Sequence, residues 1–262
     1  MQVALRAASL ALLAATGPLL LAQGRRVRRD TPRLPPAAGP VRGRVEGEGP
    51  SLRLVTIGES TVAGVGAAHH DEALTGHLAR ALYARTGRAV EWSVYGLSGA
   101  TVAKAHQSFL PAFRSGSADL VVIAFGVNDV LEHTSSRAYA DALKALVGAV
   151  RSYFGLDVPV LLGAAPPMHK FPALPQPLRA YLGLRATLLD RTAAGLGLPD
   201  VVHVPSTVRI ESSLFAMDGF HPSPAGYAVW AQFLAEAAIR FPQCFPQFSS
   251  PLPSSSTHKE SP

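Results

Sequence analysis

Three residue types in this sequence suit nucleophilic chemistry: Ser60, Asp218 and His221. A serine hydroxyl is a weak nucleophile near neutral pH. It needs an imidazole to take its proton and a carboxylate to hold that imidazole in the right tautomer. Asp218 and His221 stand three residues apart in the stretch DGFHPSP, so one short turn can present both. Ser223 can cap the helix that follows, with Pro224 at its first position, which fixes the exit of that turn. Attack of Ser60 on a carbonyl carbon builds negative charge on the carbonyl oxygen, and donors already aimed there lower the barrier. The candidates are the backbone N–H of Ser60, the backbone N–H of Gly99, where a missing side chain allows close approach, and the side-chain amide of Asn128. Loss of one such donor typically costs on the order of 10² to 10³ in turnover.

Residues this far apart in the chain need a scaffold that brings strand ends together. Short apolar runs alternate with segments of helical period. The spacing predicts strands over 52–57, 90–94, 120–125, 158–162 and 201–204, and helices over 71–85, 102–113, 137–154, 178–195 and 224–241. Such alternation predicts an α/β domain with a five-stranded parallel sheet covered on both faces. Ligands of such sheets bind beyond the carboxyl ends of the strands, where strand order reverses. Gly58-Glu59-Ser60 follows the first strand, Leu97-Ser98-Gly99 the second, Gly126-Val127-Asn128-Asp129 the third, and Asp218 to His221 comes after the fifth. Val127, Met168, Phe171 and Phe215 fall near the expected mouth and are candidates for the lining of an acyl pocket.

The blocks VTIGESTVAGVG, YGLSGAT, FGVND and DGFHPSPAGYAVWA occur in that order between Val55 and Ala231. In this the sequence resembles the SGNH hydrolases, also called GDSL esterases and lipases, named for a Ser, Gly, Asn and His in four separated blocks. The resemblance implies a three-layer α/β/α sandwich of flavodoxin-like character. It also implies hydrolysis of esters or thioesters without a metal or other cofactor, and supports Ser60, Gly99 and Asn128 as the oxyanion donors. Two positions depart from the usual pattern: Glu59 stands where Asp is usual, and Ala100 where a polar residue is common.

The chain has 262 residues and a formal charge of +6, of which residues 1–50 supply most, with eight Arg against three acids. From residue 51 onward sixteen basic residues face fifteen acidic ones, so the domain has no net basic character to recruit nucleic acid. Cys244 is the only cysteine, which rules out an intrachain disulfide and a cysteine-based metal cluster. His69-His70-Asp71-Glu72 is read as the surface start of a helix, since adjacent side chains point apart, and His203 as a structural residue at a strand end. The glycine-containing stretch after Ser60 has neither the Lys nor the spacing of a phosphate loop.

Residues 7–22 form a nearly unbroken apolar run, with Arg25, Arg26, Arg28 and Arg29 behind it. Residues 1–24 are accordingly read as an uncleaved membrane anchor, with the domain on the cytoplasmic face. A cleaved signal peptide, giving a secreted or periplasmic protein, is the alternative. Residues 25–50 read as an extended Pro/Gly-rich linker, 51–241 as the catalytic domain and 242–262 as a Pro/Ser-rich tail. Two other functions share this pattern of residues: a carbohydrate O-acetyl esterase, and a membrane-tethered binding protein of the same fold that has lost its chemistry.

Overall fold

The computed structural model describes residues 2–109, 117–206 and 211–246. Its strands are β1 (Arg42–Val45), β2 (Glu48–Gly58), β3 (Arg88–Gly96), β4 (Leu120–Ala124), β5 (Val160–Gly163) and β6 (Val201–Val204). The helices are α1 (Gln2–Asp30), α2 (Leu74–Thr86), α3 (Val102–Phe109), α4 (Val127–Leu131), α5 (Ser136–Phe154), α6 (Leu178–Ala194) and α7 (Pro224–Ala238). The strands form one sheet in the order β1-β3-β2-β4-β5-β6, in which all five expected strands run parallel.

Strand period explains the layering. Val55 and Ile57 of β2, with Val121 and Ile123 of β4, join the cluster under α3, α5 and α6. Their sequence neighbours Leu54, Val122 and Ala124 join the opposite cluster under α2 and α7. Both faces of the sheet are therefore buried, and near-continuous apolar strands are the consequence. Strand order reverses at β2, which leads to β3 on one side and to β4 on the other, and a crevice opens above its C-terminal end.

The chain ends depart from expectation. The segment 25–50 is not an extended linker: α1 runs on to Asp30, and Arg42–Val45 adds a sixth, antiparallel strand beside β3. Ala37 is buried and Ala38 bridges to His69, so much of this stretch belongs to the domain. The tail does not begin at residue 242 either. Cys244 and Phe245 are buried in the core beside α7, and the Arg88 guanidinium donates to the Cys244 carbonyl at 2.7 Å. Strand pairing of β1 with β3, and apolar burial of Cys244 and Phe245, won over a local composition that reads as loop. The rest of the tail and the end of the helix expected over 102–113 lie outside the described residues.

Candidate active site

Ser60 lies two residues beyond β2, in a tight turn where the N–H groups of Val62 and Ala63 donate to the Glu59 carbonyl and that of Val65 donates to the Ser60 carbonyl. Asp218 and His221 share a turn closed by the Ala216 N–H on the His221 carbonyl at 2.8 Å and by a bridge between Phe215 and Pro222. Ser223 caps α7 as expected, its hydroxyl accepting from the Gly226 N–H, with Pro224 at the first helical position.

These two turns are held at a fixed separation. Gly66 has φ +101°, and a Cβ there would lie 2.2 Å from the Pro222 carbonyl oxygen, so the Ser60 turn packs directly on the His221 turn. The buried Tyr227 of α7 donates its hydroxyl to the Val65 carbonyl at 2.7 Å. The result is a continuous relay. The Ser60 Oγ lies 2.9 Å from His221 Nε2, and His221 Nδ1 lies 2.6 Å from Asp218 Oδ2. The other carboxylate oxygen of Asp218 accepts the backbone N–H groups of Phe220 and His221 at 2.9 and 3.0 Å. Burial alone would raise this carboxyl, but the hydrogen bonds from the His221 ring and from those two N–H groups outweigh it and hold the carboxyl below its ordinary value. A charged Asp218 keeps the imidazole proton on Nδ1 and leaves Nε2 free to accept from Ser60.

Gly99 takes φ +80°, and a Cβ there would point into open space. Neither its backbone N–H nor that of Ser60 has an acceptor among the described residues. Asn128 is engaged within the protein. Its side-chain amide donates to Glu59 Oε2 at 2.5 Å and to the Ala100 carbonyl at 3.2 Å, so both amide hydrogens already have acceptors. Glu59 also accepts the backbone N–H groups of Val127 and Asn128, each at 3.0 Å. Complete burial pushes the Glu59 carboxyl up to about 7, against the pull of these three donors. Asp129 caps the preceding helix, accepting the Val102 N–H at the start of α3.

Next to Ser60 a cavity of about 110 Å³ runs over the ends of β4 and β5. Val127, Phe171 and Phe215 line it, as expected, whereas Met168 is fully buried in the core and does not. Phe171 meets Phe215 and Phe220 edge to face, with ring centroids 5.4 and 5.0 Å apart, making one aromatic wall. Phe220, Leu214 and Trp230 also line the cavity and were not foreseen. Phe220 could have been read from its place between Asp218 and His221, but Trp230 looks in sequence like any core residue of an apolar helix. His203 pairs with Asp190 at 2.8 Å, away from the relay, and His70 sits buried in a short 3-10 turn ahead of α2.

Residues 56–229 match the GDSL-like lipase/acylhydrolase family, and Ser60, Asp218 and His221 all lie within that stretch. The chain belongs to this family. A relative in Mycobacterium tuberculosis, the GDSL-like esterase Rv1075c, is 30% identical over 193 residues. That alignment covers 70% of this chain and 60% of the relative's length. The lipase Lip_vut3 from a goat rumen metagenome superposes with a TM-score of 0.58 at 17% identity, covering 71% of this chain and 97% of that one. A family 3 carbohydrate esterase of Clostridium thermocellum gives 0.53 at 18% identity, covering 71% and 94%. At such identities the superpositions establish a shared fold, and one fold can carry more than one substrate class.

Proposed function

We propose that the protein hydrolyses carboxylic esters, thioesters included, through an acyl-enzyme on Ser60. The observation that carries this reading is the unbroken relay from Ser60 through His221 to Asp218. In the first half-reaction His221 Nε2 accepts the Ser60 proton as Oγ bonds to the carbonyl carbon. The tetrahedral oxyanion is met by the backbone N–H groups of Ser60 and Gly99, and by Asn128 once it exchanges the Ala100 carbonyl for the oxyanion. His221 then returns its proton to the leaving alcohol. Water, deprotonated by the same imidazole, releases the acid in the second half. Asp218 orients the ring and stabilises the imidazolium throughout.

The aromatic wall of the cavity favours an apolar acyl group over an acetylated sugar, whose hydroxyls would find few partners besides Thr61 and Ser206. The relay distances favour a working enzyme over a binding protein of the same fold. We also assign the protein to a membrane surface through α1, on the cytoplasmic side, whose anionic leaflet the four Arg after the apolar run complement. Ser60→Ala should abolish hydrolysis of a small aryl acetate and labelling by a fluorophosphonate probe while the circular dichroism spectrum persists. Wild-type turnover in that variant would reject the mechanism.

A further inference from the structure

Helix α1 spans Gln2–Asp30, long enough to be taken for a membrane-crossing segment. One of its faces is already in use. Leu20 is buried in the core, with Leu12 and Val27 packed against the same cluster. At about 100° per residue these positions lie within about 80° of one another, on one side of the helix. Between them Gln23 ties α1 to the start of α6. Its amide oxygen accepts the Leu178 N–H at 3.1 Å, one of the donors a helix N-terminus leaves open, and its amide nitrogen donates to the Gln176 carbonyl at 2.6 Å.

We infer that α1 is a retained part of the folded protein that lies in the plane of an anionic lipid surface, clamped lengthwise to the domain, rather than crossing the bilayer. This rests on the membrane attachment proposed above and adds its geometry. The docked stretch from Leu12 to Val27 is about 22 Å long at 1.5 Å per residue. The turns before Leu12 add about 15 Å, half of the roughly 30 Å hydrocarbon layer, so a docked α1 cannot span it. Yet the outward side is apolar too, with Val3, Leu10 and Leu21 each more than half exposed. A helix that is apolar all round needs cover on every side, and the domain supplies only one. Lipid hydrocarbon covers the remainder. Arg25, Arg26, Arg28 and Arg29 end the helix; Asp30 pairs with Arg26 and Arg29, leaving a net positive end that complements anionic headgroups. Cleavage after Ala22 would strip Leu12 and Leu20 from the core and leave Gln23 at a bare N-terminus, so these contacts favour a retained helix.

Single cysteines introduced by Gln2→Cys or Met217→Cys report the topology in full-length protein, since Cys244 is buried. A membrane-impermeant maleimide applied to sealed membranes of an expression host should label both positions from the same side. In addition, binding of the purified protein to phosphatidylcholine vesicles should weaken at least about tenfold when phosphatidylglycerol is left out. No labelling at position 2 from the side that labels position 217 overturns the in-plane arrangement while leaving attachment intact. Recovery in the soluble fraction, cut or whole, overturns attachment as well. The clamp has its own test: Leu20→Asp with Gln23→Ala should lower the melting temperature by at least about 4 °C, and an unchanged melting temperature would overturn it.

Discussion

The Glu59 carboxylate holds Asn128 twice, by its side-chain amide at 2.5 Å and by its backbone N–H at 3.0 Å. The second amide hydrogen is left on a longer bond to the carbonyl of Ala100, next to Gly99. Glu59 thereby sets the direction in which Asn128 can give up a hydrogen to a forming oxyanion. The residue that departs from the family's usual Asp reaches its partners in full.

Above about pH 7, where Glu59 is a carboxylate, Glu59→Gln replaces an all-acceptor group by one whose own N–H₂ faces buried donors, and the orientation of Asn128 is lost. Turnover should fall on the order of 10², the cost of one oxyanion donor, with little change in KM. Steady-state kinetics on one ester suffices; a rise in KM at unchanged kcat would mean that Glu59 acts on substrate binding instead.

Stability should depend on pH through the same carboxyl. Its folded value of about 7 lies above the ordinary 4.5, so the native state holds the extra proton across that window. The contribution is complete below about 4.5 and is lost as pH rises through 7, by up to about 3 kcal/mol. Asp218 works in the opposite sense: its carboxyl is lowered, so its contribution is present above the ordinary 3.8 and fades as pH falls below that value. Urea unfolding of wild type and Glu59→Gln should converge as pH rises from 4.5 to 7, and a constant difference would contradict the assignment.

Gly66→Ala should be costly out of proportion to one methyl group. The new Cβ would meet the Pro222 carbonyl at 2.2 Å in a backbone conformation that L side chains rarely adopt. Destabilisation of about 2 kcal/mol or more is expected, together with loss of turnover as the Ser60 and His221 turns move apart. Calorimetry with an aryl ester assay checks both; a stable and fully active variant would show that the contact between the turns is dispensable.

Trp230 bounds the cavity and lies close to β5, where a Cβ on Gly163 would come within 3.2 Å of its ring. Trp230→Ala should shift the preferred acyl chain of model esters by several carbons toward longer chains while fluorophosphonate labelling of Ser60 persists. A profile identical to wild type would remove Trp230 from the substrate path.

The blocks that carry Ser60, Gly99, Asn128 and His221 were legible because each follows a strand, and a strand end is a local event written in a few consecutive residues. The parallel sheet was legible for the same reason, through alternating periods. Three relationships were not: the grip of Glu59 on Asn128, the contact of Gly66 with Pro222, and the seat of α1 along α6. Each joins residues far apart in the chain whose types give no sign of one another.

The sequence by itself determined the chemistry on offer and the order of the elements, since hydrophobic period and turn composition act over a few residues. Only the tertiary structure decided which hydrogens Asn128 has left to give, how far Ser60 stands from His221, and that residues 12–27 lie against the domain. Those outcomes depend on distances between groups that chain connectivity leaves free, and they are settled when two buried apolar layers close on the sheet and admit one arrangement of the loops above it.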